Sequence, residues 1–231
     1  TTCLTDYGLV DRLHIADRVR VATIQGLLAR EEWPHAETLV IDESHHIAAA
    51  RWRAIPDGYP HAKIVGLTAT PERADGTALG DIFQAMVVAA DYPDLVRDGH
   101  LVPCRVLRPE RQLARGLAQD PVIAYLEHGE GRSGFVYVPR IGEAARLADR
   151  FTAAGVPALA ISSETELSVR DDALGDLAAG RVRLLVNVFC LTEGVDVPSA
   201  SLCILARGVG HASTYLQMVG RILRPHPSKL D

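Results

Sequence analysis

Two adjacent carboxylates and two adjacent imidazoles, in Asp42-Glu-Ser-His-His46, follow directly on the apolar run Leu39-Val-Ile41. Such a carboxylate pair can divide the labour of hydrolysis, one group holding a metal ion and the other activating a water. An isolated pair is more often simply the start of a solvated loop, so the rest of the chain decides. Three further patterns stand beside it: Thr68-Ala-Thr70, Thr192-Glu-Gly-Val-Asp-Val-Pro198, and Gln217-Met-Val-Gly-Arg-Ile-Leu-Arg224. The last, Gln-x-x-Gly-Arg-x-x-Arg, is matched by a random window roughly once in 10⁵. Its arginines, Arg221 and Arg224, are three apart on an expected helix, so they project from nearly one face and can reach one target. Gly220, a costly residue inside a helix, points to a close approach there.

The elements that must position these groups alternate between strand and helix. In the first half, strands are expected at Val19–Ile24, Ala36–Ile41, Lys63–Thr68 and Leu101–Leu107. Short helices are expected at Gln25–Arg30, Ala48–Ile55 and Asp91–Gly99. The stretch after Arg108 is rich in Arg, Glu, Gly and Gln, with a helical patch at Val122–His128, and reads as a linker. The second half is more regular. Strands at Gly134–Val138, Ala158–Ser162, Val182–Val188 and Ser201–Ala206 alternate with helices at Ile141–Ala154, Leu167–Ala179 and Ser213–Leu223. Gly155 and Gly180 fall where left-handed helix caps are wanted. Alternation of this kind argues for two parallel-sheet α/β units, with ligands met just beyond the carboxyl ends of the strands. Every pattern above lies at such an end.

Composition narrows the class. The chain has 231 residues, 48% apolar and 23% charged, with no apolar run long enough to span a membrane. A net charge of −5 argues against a broadly basic nucleic-acid surface, while leaving room for a groove that meets phosphates through hydroxyls and backbone amides. Cys3, Cys104, Cys190 and Cys203 are widely spaced, without zinc-type spacing, and fit a reducing cytoplasm. The first residues show no secretory signal.

Four such patterns, in this order across two α/β halves, resemble the paired motor domains of a superfamily 2 DNA or RNA helicase of the Asp-Glu-x-His type. The run from Gly66 to Phe83 and the segment Asp98-Gly-His-Leu-Val-Pro103 are similar to a narrower branch. That branch holds the repair helicase of TFIIH, phage recombination helicases and bacterial relatives. The resemblance implies two RecA-like parallel-sheet P-loop NTPase domains in tandem. Residues 1–108 would be the later part of the ATP-binding domain, 109–133 a linker, and 134–231 the helicase C-terminal domain. It implies ATP and Mg²⁺ as cofactors and nucleic acid as partner, with DNA favoured over RNA only by the narrower match.

Residue by residue, the resemblance makes Asp42 the Mg²⁺ carboxylate and Glu43 the group that activates water. His45 senses Thr68 and Thr70 or the opposite domain, and those threonines couple nucleotide to nucleic acid. Gln217, Arg221 and Arg224 approach the γ-phosphate across the inter-domain cleft, Arg224 as the arginine finger. Gly194 and Asp196 meet the nucleotide, with Asp196 near the ribose or the finger. Thr192, Thr23, Gln25 and Ser162 are the expected contacts to the nucleic-acid backbone.

One departure is large: no Gly-x-x-x-x-Gly-Lys-Ser/Thr occurs in the chain. The resemblance therefore reads the sequence as a fragment, its first domain truncated at the N-terminus and less stable than the second. It would be a bacterial or phage-like cytoplasmic helicase or translocase core, inactive alone. Two other readings remain within the family: a non-hydrolysing module that binds nucleic acid or a partner, and the motor part of a restriction system. Outside it, Asp42, Glu43, His45 and His46 would form a metallohydrolase site, although adjacent ligands in one short loop chelate poorly.

Overall fold

A computed structural model describes residues 19–29, 33–47, 52–71, 79–108, 118–191 and 195–229. The chain divides into two compact units, Thr1–Val87 and Val88–Asp231.

In the first unit, helix α1 (Ile24–Leu28) precedes strand β1 (Thr38–Ile41), helix α2 (Ala54–Gly58) and strand β2 (Lys63–Gly66). The two strands pair in parallel, with Thr38 opposite Lys63 and Ile41 opposite Gly66. One face of this pair joins a core of Leu27, Ile41, Ile47, Ile55 and Tyr59, against which Leu39, Ile64 and Trp33 pack. The opposed pair Val40 and Val65 remains open to solvent, 58% and 44% exposed. Gly66 ends β2 because nothing larger fits: a Cβ there would lie 2.7 Å from the Ser44 hydroxyl and 2.5 Å from the Phe83 ring.

The second unit opens with helix α3 (Tyr92–Arg97), capped by the Asp91 carboxylate, and helix α4 (Pro121–His128), capped by Asp120. Strands β3 (Gly134–Tyr137), β4 (Ala158–Ile161), β5 (Leu184–Asn187) and β6 (Leu202–Leu205) then alternate with helices α5 (Ile141–Ala153), α6 (Leu167–Ala178) and α7 (Ala212–Gly220). The sheet is all parallel, in the order β4-β5-β3-β6. Its central strands β3 and β5 are buried along their whole length, as a sheet covered on both faces requires. Val136, Leu184 and Val186 face Val122, Leu147 and Phe151 of α4 and α5. Phe135, Tyr137 and Leu185 face Leu177 of α6 and Met218 of α7. Ala144, Leu147, Ala148 and Phe151 recur at helical spacing on α5, which fixes the face it buries. Gly155 and Gly180 take left-handed conformations past α5 and α6, and Val156 and Arg181 donate back to Phe151 and Asp176 in the expected cap.

Four elements differ from expectation. Val19–Thr23 forms no strand among the described residues; Thr23 instead caps α1, its hydroxyl accepting the Gly26 amide. The helix expected at Ala48–Ile55 is described only at Ala54–Gly58, with Pro56 in the first turn, where a missing amide costs nothing. Leu101–Leu107 makes no ladder, and Pro103 in its middle has no amide to donate. Finally, α7 stops at Gly220, not Leu223. Glycine propagates a helix poorly, and Pro225 biases Arg224 away from helical geometry.

Candidate functional site

In the first unit the exits of β1 and β2 are laced together. The Leu67 amide donates to Ile41 O at 2.8 Å, and the Ser44 amide donates back to Leu67 O at 2.9 Å. Chain direction reverses between them at Glu43, which takes a left-handed φ of 47° that few non-glycine residues adopt. Asp42 is exposed, and its Oδ1 accepts the Glu43 amide at 2.9 Å, which fixes the carboxylate's orientation.

His45 sits in the following 3-10 turn, only 7% exposed. Its Nδ1 lies 3.0 Å from the Thr68 hydroxyl and 3.4 Å from Glu43 Oε2. A carboxylate can only accept, so this position favours a proton on Nδ1, shared between the two oxygens. Thr68 Oγ1 also accepts the Thr70 amide at 3.1 Å. Glu43, His45, Thr68 and Thr70 therefore form one connected polar chain. Thr70 is 4% exposed, and its hydroxyl finds no hydrogen-bond partner among the described residues. His46 packs between His45 and Trp52, with ring centroids 4.0 and 5.3 Å away.

In the second unit both arginines converge, although neither lies in the body of α7. Arg221 caps the helix, and Arg224 lies beyond it. Their Nη1 atoms donate to the same carbonyl, Val195 O, at 3.1 and 2.8 Å. Arg224 also pairs with the Asp196 carboxylate, itself 71% exposed. Gln217 is half-buried on α7, one helical turn before Arg221. Thr192 and Gly194 lie outside the described residues.

Two positioning groups carry no motif signal. The Tyr137 hydroxyl, fully buried on β3, donates to Leu191 O at 3.2 Å, so the residues flanking 192–194 are held from both ends. Burial pushes its phenol well above the ordinary range. Lys229 donates to Ile222 O and Arg224 O, both at 2.9 Å, and so satisfies carbonyls left open where α7 ends. Burial, reinforced by the Arg224 charge, lowers its ammonium to about 8. Both partners are fixed by folding, and only a lysine near a helix end hints at the second.

The expected backbone contacts are dispersed. Thr23 spends its hydroxyl oxygen on capping α1, while Gln25 is exposed on that helix. Ser162 leaves β4 buried at 7% exposure, its hydroxyl accepting the Glu164 amide at 3.1 Å and its carbonyl accepting from Arg170. Among the described residues no group of three or more His, Cys, Asp or Glu side chains converges as a metal-ligand set.

Against known proteins, residues 118–226 match the family model of the helicase conserved C-terminal domain, and residues 11–73 match that of the type III restriction enzyme res subunit. A putative mitochondrial ATP-dependent helicase, irc3 of Schizosaccharomyces pombe, is 28% identical over 84% of this chain and 36% of its own length. A 51.5 kDa protein of a Lactococcus phage is also 28% identical, over 81% of this chain and 46% of its own. The chain thus spans less than half the length of these relatives. Among solved structures, the ATP-dependent type ISP restriction-modification enzyme LlaBIII bound to DNA superposes with a TM-score of 0.66 at 17% identity, over 86% of this chain and 18% of that one. Dbp5 of S. cerevisiae, bound to RNA and ADP BeF3, gives 0.56 at 17% identity over 80% and 49%. These two likenesses speak to the fold, two RecA-like α/β units.

Proposed function

The chain belongs to the superfamily 2 helicases, and from that premise we propose that it is motor core of an ATP-driven translocase on nucleic acid, preferring DNA to RNA. Asp42 would hold Mg²⁺, a role that suits an exposed carboxylate oriented by the Glu43 amide. Glu43 takes the proton of the attacking water, and Arg221 and Arg224 offset the charge that develops on the phosphoryl group. ATP supplies the free energy, and its metal ion neutralises phosphate charge. Gln217, Gly194 and Asp196 meet the nucleotide; Asp196 keeps Arg224 against Val195 O until a phosphate competes for it. Thr23, Gln25, Ser162 and Thr192 touch the phosphates of the tracked strand, contacts that carry no sequence information.

The observation that supports this reading most is the polar chain from Glu43 through His45 to Thr68 and Thr70. It joins the group assigned to the reacting water to the exit of the neighbouring strand, so a change at the nucleotide can alter backbone geometry there.

Binding of single-stranded DNA and RNA, followed by fluorescence anisotropy at rising salt, tests the partner. Sequence-independent binding that falls with salt and favours DNA is expected; no binding of either overturns the reading. Hydrolysis is tested by joining a relative's Gly-x-x-x-x-Gly-Lys-Thr segment ahead of Thr1. Strand-stimulated phosphate release that is lost in Glu43→Gln is expected, and release indifferent to both Glu43→Gln and Arg224→Ala removes these residues from the site. The res-subunit match and the LlaBIII likeness favour a second reading, a restriction-system motor that moves along duplex without opening it. Displacement of a third strand from duplex DNA, without unwinding, distinguishes it.

A further inference from the structure

The segment Asp98-Gly-His-Leu-Val-Pro103 has no part in the chemistry assigned above, yet its backbone reaches the residues that carry it. It begins as the stop of α3. Gly99 takes a left-handed φ of 76°, and the His100 and Leu101 amides both turn back to Leu95 O, at 2.8 and 3.0 Å. The next amide, that of buried Val102, leaves the helix end and donates to Leu223 O at 2.8 Å. Pro103 has no amide, so the contact does not extend into a ladder. From the start of α3 the Tyr92 hydroxyl donates to Val102 O at 3.2 Å and holds the other side of the same residue.

Leu223 stands between Ile222 and Arg224, whose carbonyls both accept from the Lys229 ammonium. Three consecutive carbonyls beyond the end of α7 are therefore held, the outer two by Lys229 and the middle one by the Val102 amide. Because α7 stops at Gly220, regular helix geometry no longer carries this stretch. The backbone from which Arg224 reaches Val195 O depends on these bonds instead. All of these residues belong to the second unit.

We propose that the segment from Tyr92 to Pro103 is a strap that positions Arg224, with Gly99 and Val102 as its positioning residues. Gly99 sets the turn, the turn aims the Val102 amide, and that amide fixes the carbonyl next to Arg224. The strap acts on the guanidinium only through the backbone of Leu223. The inference rests on the reading of Arg224 as the arginine finger and adds what sets the finger's aim.

The test uses the 231-residue chain and nuclear magnetic resonance of the Arg224 guanidinium protons, assigned by their loss in Arg224→Lys. Gly99→Ala is the probe: a Cβ there meets nothing within 4 Å, so the change strains only the left-handed backbone. It is expected to speed solvent exchange of the Val102 amide and of the Arg224 guanidinium roughly 5- to 30-fold. Gly155→Ala puts the same kind of strain, at φ 81° and also in open space, past the end of α5. It is expected to leave both groups at the parent's rates. Gly99→Asn, a residue that tolerates the left-handed region, is expected to restore most of the protection. Arg224 exchange at the parent's rate in Gly99→Ala, equal acceleration in Gly155→Ala, or Gly99→Asn behaving as Gly99→Ala overturns the strap. The two readings fail separately: an Arg224 unmoved by Gly99→Ala overturns the strap alone, and phosphate release indifferent to Arg224→Ala overturns the finger.

Discussion

His45 Nδ1 and the Thr68 hydroxyl meet at 3.0 Å, bridging the exits of two adjacent parallel strands. The bond is part-buried and shares its acceptor with the Thr70 amide. Removing either partner takes one hydrogen-bond partner from the other.

His45→Ala and Thr68→Ala are therefore expected to be non-additive. Each single change should destabilise the chain by about 1 kcal/mol, and the double-mutant cycle should return a coupling of about 0.5 to 1.5 kcal/mol. Urea denaturation of the four proteins measures it. Additive losses would mean that the contact contributes no coupling.

Gly134→Ala is expected to be the most damaging single methyl in the second unit. A Cβ at this position would stand 1.8 Å from Leu202 O, a backbone atom that cannot turn aside. The start of β3 or of β6 must shift, at a cost of about 3 kcal/mol or more. Gly142→Ala, on α5 with open space around the added methyl, is the control and should be neutral or slightly stabilising. Comparable melting of both variants would contradict the close approach.

Lys229 makes stability depend on pH in a defined window. Its folded pKa, lowered to about 8 by burial and then by the Arg224 charge, lies below the ordinary value of 10.5. Between these values the unfolded chain binds more protons, so stability rises with pH and levels off above the upper one. Denaturation of the parent and of Lys229→Met from pH 7 to 11 should show the difference moving in the parent's favour across this window. A flat difference would place the ammonium in full contact with water.

Amide exchange should separate the two sheets. The amides of β3 and β5, buried on both faces, should exchange on the order of 100-fold more slowly than those of β1 and β2, whose Val40 and Val65 face solvent. Mass spectrometry on peptic fragments reads this directly, and equal protection in the two units would reverse the ranking.

Most of the fold was legible in sequence because strand exits and helix ends are local. The runs at Leu39–Ile41 and Leu184–Asn187, and the glycines at 155 and 180, state their conformations within a few residues. The misread elements depend on distant partners. Val19–Thr23 has the alternation of a strand, but a strand exists only by pairing, and among the described residues it has none. Leu101–Leu107 looked equally good, yet its Val102 amide goes to Leu223 O and not to a ladder.

For the candidate site, the sequence by itself determined which chemical groups stand beyond the strands of the first unit and at the end of the last helix: paired carboxylates, a histidine and two threonines in the one place, two arginines in the other. Residue type and spacing along a strand or helix suffice for that. Only the tertiary structure decided what those groups touch. Arg221 and Arg224 share a target not because one helix face carries both, as the spacing implied, but because α7 ends at Gly220 and turns them onto Val195 O. Tyr137 holds Leu191 O across 54 residues of chain, and Phe189 meets Arg207 across the end of β3. Such contacts are set by parallel strand order, and that order follows from how the sheet buries both faces, which no local window of sequence contains.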